Sequence, residues 1–123
     1  MYITIDGDDT GRKIVSCYIN NDEAKLREIS ESLALSIYRV TDLLKVEGFR
    51  IVFSAADGVA AHTSIDIDYM RLFDRIRGLA PTGFTFSVGV GSTLQEAYIA
   101  LVNAKSSGKN SLSLYWNING HSE

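Results

Sequence analysis

The sequence predicts an α+β domain built on one antiparallel β-sheet, with helices packed on one face of that sheet. Apolar residues recur at steps of three and four across residues 22–48, which is the pattern of a long helix with one apolar face. Two apolar segments joined by Asp57-Gly58 are typical of a β-hairpin. Residues 84–91 alternate between larger apolar and small or polar residues, which indicates a strand.

The first strand covers residues 2–5, where Tyr, Ile and Thr favour a pleated, half-buried environment, and it ends at Asp6. Residues 12–19 are compatible with either a short helix or an extended connector. Residues 20–22 (Asn-Asn-Asp) provide capping side chains for the long helix, and Gly48 is a plausible C-cap. At 1.5 Å per residue this helix would span nearly 40 Å, so we expect its outer end to project or to pack on a second subunit.

The hairpin strands are predicted at 49–56 and 59–63, with both residues of the Asp57-Gly58 turn at positive φ. Asp66 or Asp68 would cap the next helix, and Pro81 breaks it. The core stripe predicted for this helix consists of Tyr69, Met70, Phe73, Ile76 and Leu79. His62, in the second hairpin strand, is interpreted as a half-buried structural residue.

The two glycines of the strand 84–91 leave room for close approach of another backbone. Ser92 or Thr93 would cap a further helix that ends near Gly108. The inner face of that helix is predicted to consist of Leu94, Ala97, Tyr98, Leu101 and Val102. A last strand follows over 110–116, and residues 117–123, which include His121, form a polar tail. The order predicts one domain over residues 1–116: a ferredoxin-like β-α-β-β-α-β sheet with an added C-terminal helix and strand.

Composition excludes several classes of protein. A net charge of −3 over 123 residues, without a basic cluster, argues against a nucleic acid duplex as partner. One cysteine, Cys17, excludes an internal disulfide framework and suits a reducing compartment. No apolar run has the length of a membrane span, and Met1 leads directly into the strand pattern. We therefore expect a soluble cytoplasmic protein.

The opening segment, MYITIDGDDTG, is the first candidate for a functional site. One interpretation is a solvated Asp/Gly turn, and another is a strand-end site that holds Mg²⁺ against phosphate oxygens, since Mg²⁺ takes one or two protein carboxylates. A calcium loop is excluded because its twelfth position would be Cys17 instead of Glu. In the predicted topology the end of the first strand, with Asp6, lies near the hairpin tip, with Asp57. This convergence favours the strand-end site.

Three segments resemble the Palm-type nucleotide cyclases and polymerases, which include the GGDEF cyclases, and most of all the minimal CRISPR polymerase family. The strand-end Asp6 matches the first metal-binding aspartate, and Gly7 matches the residue whose carbonyl completes the metal site. The hairpin AADGV (55–59) occupies the GGDEF position, with Asp57 as the second acid. The segments FSVGVGS (86–92) and ALVNAKSSGKN (100–110) match the strand and the ending that carries two basic residues, here Lys105 and Lys109.

The sequence also departs from that pattern. Ala55 and Ala56 replace the two motif glycines, and Gly58 replaces the second acid of the hairpin. This leaves fewer carboxylates than a GGDEF enzyme has. Part of their role could pass to Asp8 or Asp9.

The resemblance implies nucleotidyl transfer, in which a ribose hydroxyl of one nucleoside triphosphate attacks the α-phosphate of another. It implies Asp6 and Asp57 as catalytic residues, with Mg²⁺ or Mn²⁺ held by these two and by Gly7. The nucleotide-binding residues expected on this basis are Asp8, Asp9, Thr10, Gly11, Gly58, Lys105 and Lys109. Lys105 and Lys109, a helical turn apart, would share one face and reach the β- and γ-phosphates.

Further expectations concern product and partners. Because closing a cyclic product requires two nucleotides that face each other, we expect a homodimer. The resemblance implies a cyclic di- or oligonucleotide, adenylate-based, that acts as an antiviral signal and is read by a separately encoded effector.

Three other functions fit parts of the sequence. The altered hairpin fits a degenerate Palm domain that only binds a nucleotide, as a sensor. Asp6, Asp8 and Thr10 also fit the D-x-D-x-T motif of haloacid-dehalogenase-like phosphatases, although the only acid after Lys105 is Glu123. An RNA-recognition module would share the fold, but the second hairpin strand has no aromatic residue and a basic surface is missing.

Overall fold

A computed structural model of the protein describes residues 1–120 of the chain. The elements over this range, in chain order, are β1 (Tyr2–Gly7), α1 (Thr10–Ile19), α2 (Glu23–Val46), β2 (Arg50–Ser54), β3 (Gly58–His62), α3 (Tyr69–Arg77), β4 (Phe86–Gly91), α4 (Leu94–Ser106), β5 (Leu112–Leu114) and a 3₁₀ helix (Tyr115–Gly120). None of the helices in this range is both long and apolar enough to cross a bilayer.

The strands form one five-stranded sheet in the order β2-β3-β1-β4-β5. The central strand β1 runs antiparallel to both β3 and β4, while β5 pairs with β4 in parallel. The predicted ferredoxin-like α+β fold with an added C-terminal helix and strand is therefore confirmed. The added strand makes the sheet a mixed one.

One face of the sheet carries the main hydrophobic core. There α2 and α3 pack against alternate residues of the three central strands. The strand residues of this core are Ile3, Ile5, Val59, Ala61, Phe86, Val88 and Val90, and the helical ones are Ile37, Val40, Leu43, Leu44, Leu72, Phe73 and Ile76. The ferredoxin-like helices thus share one face, as the pattern predicted.

The added helix α4 packs on the opposite face of the sheet. A Cβ atom built on Gly89 would lie 2.3 Å from the carbonyl oxygen of Ala97 and 2.3 Å from the amide nitrogen of Leu101. The predicted close backbone approach at the glycines of β4 is therefore confirmed, and the approaching backbone belongs to α4. Because β4 is covered on both faces, all six of its residues are buried.

Three helix caps follow the sequence prediction, and α1 settles an open alternative. The side chains of Asp22, Asp68 and Thr93 each accept a hydrogen bond from the backbone of the first turn that follows. Residues 12–19, which were compatible with a helix or a connector, belong to the helix α1.

The prediction for the hairpin turn is wrong in its geometry. Gly58 is the first residue of β3 and pairs with Asp6, so the loop consists of residues 55–57. Neither Asp57 nor Gly58 has a positive φ. The turn is longer than the Asp-Gly dipeptide suggested because β2 ends at Ser54, and it is shifted along the chain because Gly58 pairs with β1 as part of β3.

Two predicted helix faces were wrong in part. Met70 is 61% exposed, and Leu72 takes the buried position. On α4, Leu94, Tyr98 and Val102 are exposed, whereas Ala97, Ala100, Leu101 and Ala104 are buried. Three of these four buried residues are alanines, because the glycines of β4 bring the two backbones close together and leave little room between them.

The last strand is shorter than predicted. It ends at Leu114, and the 3₁₀ helix Tyr115–Gly120 takes up the rest of the predicted strand and the start of the predicted polar tail. The remainder of that tail, with His121, lies outside the described residues.

Candidate active site

The C-terminal end of β1 brings the two predicted catalytic aspartates together. Asp6 pairs with Gly58 of β3, where a Cβ atom would lie only 3.1 Å from the Oδ1 atom of Asp6. The amide of Gly7 donates a hydrogen bond of 2.9 Å to the carbonyl oxygen of Asp57. The end of the central strand is thus hydrogen-bonded to the tip of the hairpin. The backbone of the sheet holds both carboxylates at one edge.

Lys105, in the last turn of α4, reaches this edge from the opposite side of the sheet to the main core. Its Nζ atom lies 3.0 Å from the carbonyl oxygen of Gly7, 3.2 Å from Oδ2 of Asp6 and 3.1 Å from Oδ1 of Asp8. Residues 6–8, the last two of β1 and the one that follows it, therefore hold the ammonium group through three oxygens.

Asp8 is buried, with 3% of its surface exposed. Its Oδ1 atom accepts a hydrogen bond of 2.7 Å from the hydroxyl of Ser87, and its Oδ2 atom accepts one of 2.6 Å from the hydroxyl of Thr85. The amide of Asn110 donates to Oδ2 as well, at 2.9 Å. The interpretation of Asp8 as part of a solvated turn is therefore wrong. A direct contact between Asp8 and a nucleotide, as predicted, would require this network to open.

Asp9 has left-handed backbone angles (φ 58°) and immediately precedes α1. Its carboxylate accepts a hydrogen bond of 2.6 Å from Lys109 and lies 3.4 Å from the guanidinium of Arg12. It makes no side-chain cap to α1, so the first-turn amides of this helix stay available to an anion. Gly11 lies in that turn, and a Cβ atom built on it would have no neighbour within 4 Å.

Thr10 lies at the start of α1 but is buried. Within the part of the chain that the structure describes, its hydroxyl has no hydrogen-bond partner, and a Cβ atom on Gly7 would lie 2.6 Å from that hydroxyl. A glycine at position 7 is therefore required for this close packing at the end of β1.

The loop after α4 is held in an unusual backbone conformation. Gly108, Lys109 and Asn110 all have positive φ, at 119°, 64° and 46°. For residues other than glycine this conformation costs roughly 1–2 kcal/mol each. The helix ends before Lys109, so the prediction that both lysines share one helical face is wrong. The loop nevertheless brings Lys109 to the same edge as Lys105.

Burial and charge shift the pKa values of this cluster in different directions. Burial raises the pKa of Asp6, and the negative charges of Asp57 and Asp8 add to the rise, while Lys105 opposes it. Burial would also raise the pKa of Asp8, but hydrogen bonds from Thr85, Ser87, Asn110 and Lys105 outweigh it and lower that pKa. Burial likewise works against the ammonium of Lys105, yet its bonds to Asp8 and Asp6 raise its pKa.

Residues 2–115 match the sequence profile of the minimal CRISPR polymerase domain. The chain belongs to the minimal CRISPR polymerase family. Membership assigns it to the polymerase-type nucleotidyltransferases, in agreement with the resemblance noted from Asp6, Asp57 and the segment 100–110 that contains Lys105 and Lys109. No sequence among curated proteins matches the chain.

The fold of this minimal CRISPR polymerase domain is similar to that of the GGDEF domain of YfiN (TpbB) from Pseudomonas aeruginosa. The TM-score is 0.66 at 17% sequence identity, and the likeness covers 92% of this chain and 80% of that one. At this identity the comparison shows a common fold.

The donor set of the minimal CRISPR polymerase domain fits a divalent metal ion. Families of this type use divalent metals, and Asp6, the carbonyl oxygen of Gly7 and Asp57 provide the hard oxygen ligands that Mg²⁺ prefers. The ammonium of Lys105 already lies against two of them, which shows that a cation is favoured there. Within residues 1–120 no group of three or more Asp, Glu, His or Cys side chains is arranged to hold a metal ion, so water and phosphate oxygens would complete the coordination.

The sequence did not reveal a groove between α1 and α2. It has a volume of about 580 Å³ and reaches the hairpin at Ala55 and Ala56, directly before Asp57. Other residues along it include Ile14, Tyr18, Leu26 and Leu33. Its wall could have been found only if residues 12–19 had been recognised as a helix. Thr85, Ser87 and Asn110 were missed as well, because lone polar residues on or beside a strand give no signal.

Proposed function

We propose that the chain is a metal-dependent nucleotidyltransferase that makes a cyclic di- or oligonucleotide from nucleoside triphosphates. The observation that carries the proposal is the meeting of Asp6, Gly7 and Asp57 at one sheet edge, with Lys105 and Lys109 beside them. Family membership supports nucleotidyl transfer. The resemblance to this family supports the remaining parts of the proposal, which are an adenylate base, an antiviral role, a cytoplasmic location and a separate effector.

In this proposal each part of the site has a separate task. Asp6, Asp57 and the Gly7 carbonyl would hold Mg²⁺ or Mn²⁺, which supplies charge neutralisation at the α-phosphate and a lower pKa for the attacking hydroxyl. Lys105, Lys109 and the first-turn amides of α1 near Gly11 would bind the β- and γ-phosphates. Such positioning and electrostatic stabilisation provide most of the catalysis of phosphoryl transfer.

The groove between α1 and α2 is the place we propose for the base. Its apolar wall begins at Ala55 and Ala56, so a base there would place its sugar and α-phosphate next to Asp57. The reaction forms a bond from the ribose oxygen of one nucleotide to the α-phosphorus of the other. The bond from that phosphorus to the oxygen that bridges to the β-phosphate breaks, pyrophosphate leaves, and the proton of the ribose hydroxyl passes to solvent water.

Two nucleotides must face each other for the product to close. One such edge is present in the described part of the chain, so a homodimer with the product formed between two copies completes the proposal.

The test is incubation of the purified protein with each nucleoside triphosphate and Mg²⁺ or Mn²⁺, with products identified by mass spectrometry. Asp57→Ala should lower product formation by about 100-fold or more, because it removes charge stabilisation from the reaction centre. The matched control is Asp42→Ala, since Asp42 is an exposed residue of α2, away from the site. Loss of product in both variants, or in neither, would contradict the assignment of Asp57.

Two other outcomes would replace the proposal. Nucleotides that are bound but returned intact would establish a sensor, which the glycine at position 58 would explain. Release of inorganic phosphate without a nucleotide product would indicate a phosphatase.

A further inference from the structure

Three oxygens hold the ammonium group of Lys105. Two of them, Oδ2 of Asp6 and the carbonyl oxygen of Gly7, belong to residues proposed to hold the metal. The third, Oδ1 of Asp8, lies 3.1 Å from Nζ and belongs to a buried side chain without a proposed metal contact. Lys105 is therefore shared between a pair of metal ligands and one separate carboxylate.

A divalent ion held by Asp6 and the Gly7 carbonyl would repel the ammonium group of Lys105, because both carry positive charge at a short distance. This repulsion would weaken the two contacts that Lys105 makes with those residues. The contact with Asp8 is the one for which the metal does not compete. Without that contact a flexible four-carbon side chain, repelled by the metal, would turn toward solvent.

Asp8 is suited to holding the Lys105 ammonium because its own carboxylate is fixed in place. Hydrogen bonds from Thr85, Ser87 and the amide of Asn110 fix its two oxygens to β4 and to the loop after α4. Asn110 itself is held in a left-handed conformation. The surrounding structure thus fixes the position of Asp8.

We propose that Asp8 is a positioning residue that keeps the Lys105 ammonium at the site once a metal takes Asp6 and the Gly7 carbonyl, so that Lys105 faces the triphosphate. This inference rests on the proposed function and deepens it. It assigns Asp8 an effect on nucleotide binding that passes entirely through Lys105.

The test is a double-mutant cycle on nucleotide binding, which does not depend on turnover. Isothermal calorimetry would measure the dissociation constant of α,β-methylene-ATP with Mg²⁺ for wild type, Asp8→Asn, Lys105→Met and the double variant. Each single variant should raise the dissociation constant by about tenfold, since each removes a charge-assisted contact. The double variant should bind no more weakly than the weaker single variant.

Additive effects, giving about a hundredfold weakening in the double variant, would overturn the inference because independent residues add. Thr85→Val is the matched control, since it removes a hydrogen bond to Oδ2 of Asp8 and leaves Oδ1 to Lys105. It should lower the melting temperature but keep the coupling between Asp8 and Lys105.

A second measurement on the unmutated protein covers the case in which Asp8→Asn does not fold. The ammonium protons of Lys105 should remain protected from solvent exchange in NMR spectra after Mg²⁺ is added. Loss of that protection on metal binding would overturn the inference. If the wild-type protein binds the analogue but forms no product, only the proposed function is contradicted. If it binds neither Mg²⁺ nor the analogue, both the proposed function and the role of Asp8 are contradicted.

Discussion

Gly89 is the position where the packing of the added helix can be tested most directly. A methyl group there would lie 2.3 Å from two backbone atoms of α4, the carbonyl oxygen of Ala97 and the amide nitrogen of Leu101. Ordinary van der Waals contact begins at 3.4 Å, so Gly89→Ala requires α4 to move away by about 1 Å. No side chain rotation can relieve these contacts, because the atoms belong to a helix backbone.

The expected loss of stability is about 1–3 kcal/mol or somewhat more, the usual range for overpacking a dense core. For a domain of this size each kcal/mol lowers the melting temperature by roughly 3–6 °C. The same movement shifts Lys105, at the end of α4, relative to Asp6. A displacement of about 1 Å can reduce a rate by about 100-fold, so catalysis should suffer more than stability suggests.

The assay for Gly89→Ala is urea unfolding followed by circular dichroism, with product formation measured on the folded protein. Gly11→Ala serves as the control for stability, because a Cβ atom at position 11 meets nothing within 4 Å. It should be neutral or stabilising by up to about 1 kcal/mol, as alanine is the better helix former. Gly89→Ala with wild-type stability would refute the close packing of α4 on β4.

Two predictions follow from the shifted carboxyl pKa values. The pKa of Asp6 is raised in the folded state, so folding favours its neutral form, and the stability it provides at low pH is lost as pH rises through that pKa. Asp6→Asn should therefore raise the melting temperature at pH 7 without metal, and an unchanged or lower value contradicts this. The pKa of Asp8 is lowered, so its stabilisation is present above the unfolded value of about 3.9 and is lost as pH falls through the folded value. Asp8→Asn should cost about 2 kcal/mol or more at pH 7, and the cost should shrink as pH falls through the folded pKa of Asp8, as measured by urea unfolding; a pH-independent difference would count against the network around Asp8.

The sequence was sufficient to predict the fold and the meeting of two aspartates. Asp6 follows a strand pattern and Asp57 lies at the tip of a hairpin pattern. In a ferredoxin-like sheet the first strand pairs with the hairpin, so topology alone places their ends together. The profile match over residues 2–115 confirms the family that these motifs suggested.

The polar network around Asp8 could not be predicted in the same way. Its partners Thr85, Ser87 and Asn110 lie 77, 79 and 102 positions away along the chain. Nothing in a strand with alternating residues distinguishes a hydroxyl that faces a buried carboxylate from one that faces water. The geometry at Gly58 was missed for a related reason, since its conformation is set by pairing with Asp6 and not by the local Asp-Gly dipeptide.

The separation of these partners has a consequence for how the domain unfolds. Lys105 meets Gly7, and Asn110 meets Asp8, across nearly the whole chain, so the site cannot open without separating α4 and the following loop from the central strand. The site therefore belongs to the same cooperative unit as the sheet and does not melt by itself. Any ligand that binds there must stabilise the whole fold, by about 2.7 kcal/mol at 100 times its dissociation constant. A melting curve of the entire protein is thus a direct measure of how much ligand this edge of the sheet has bound.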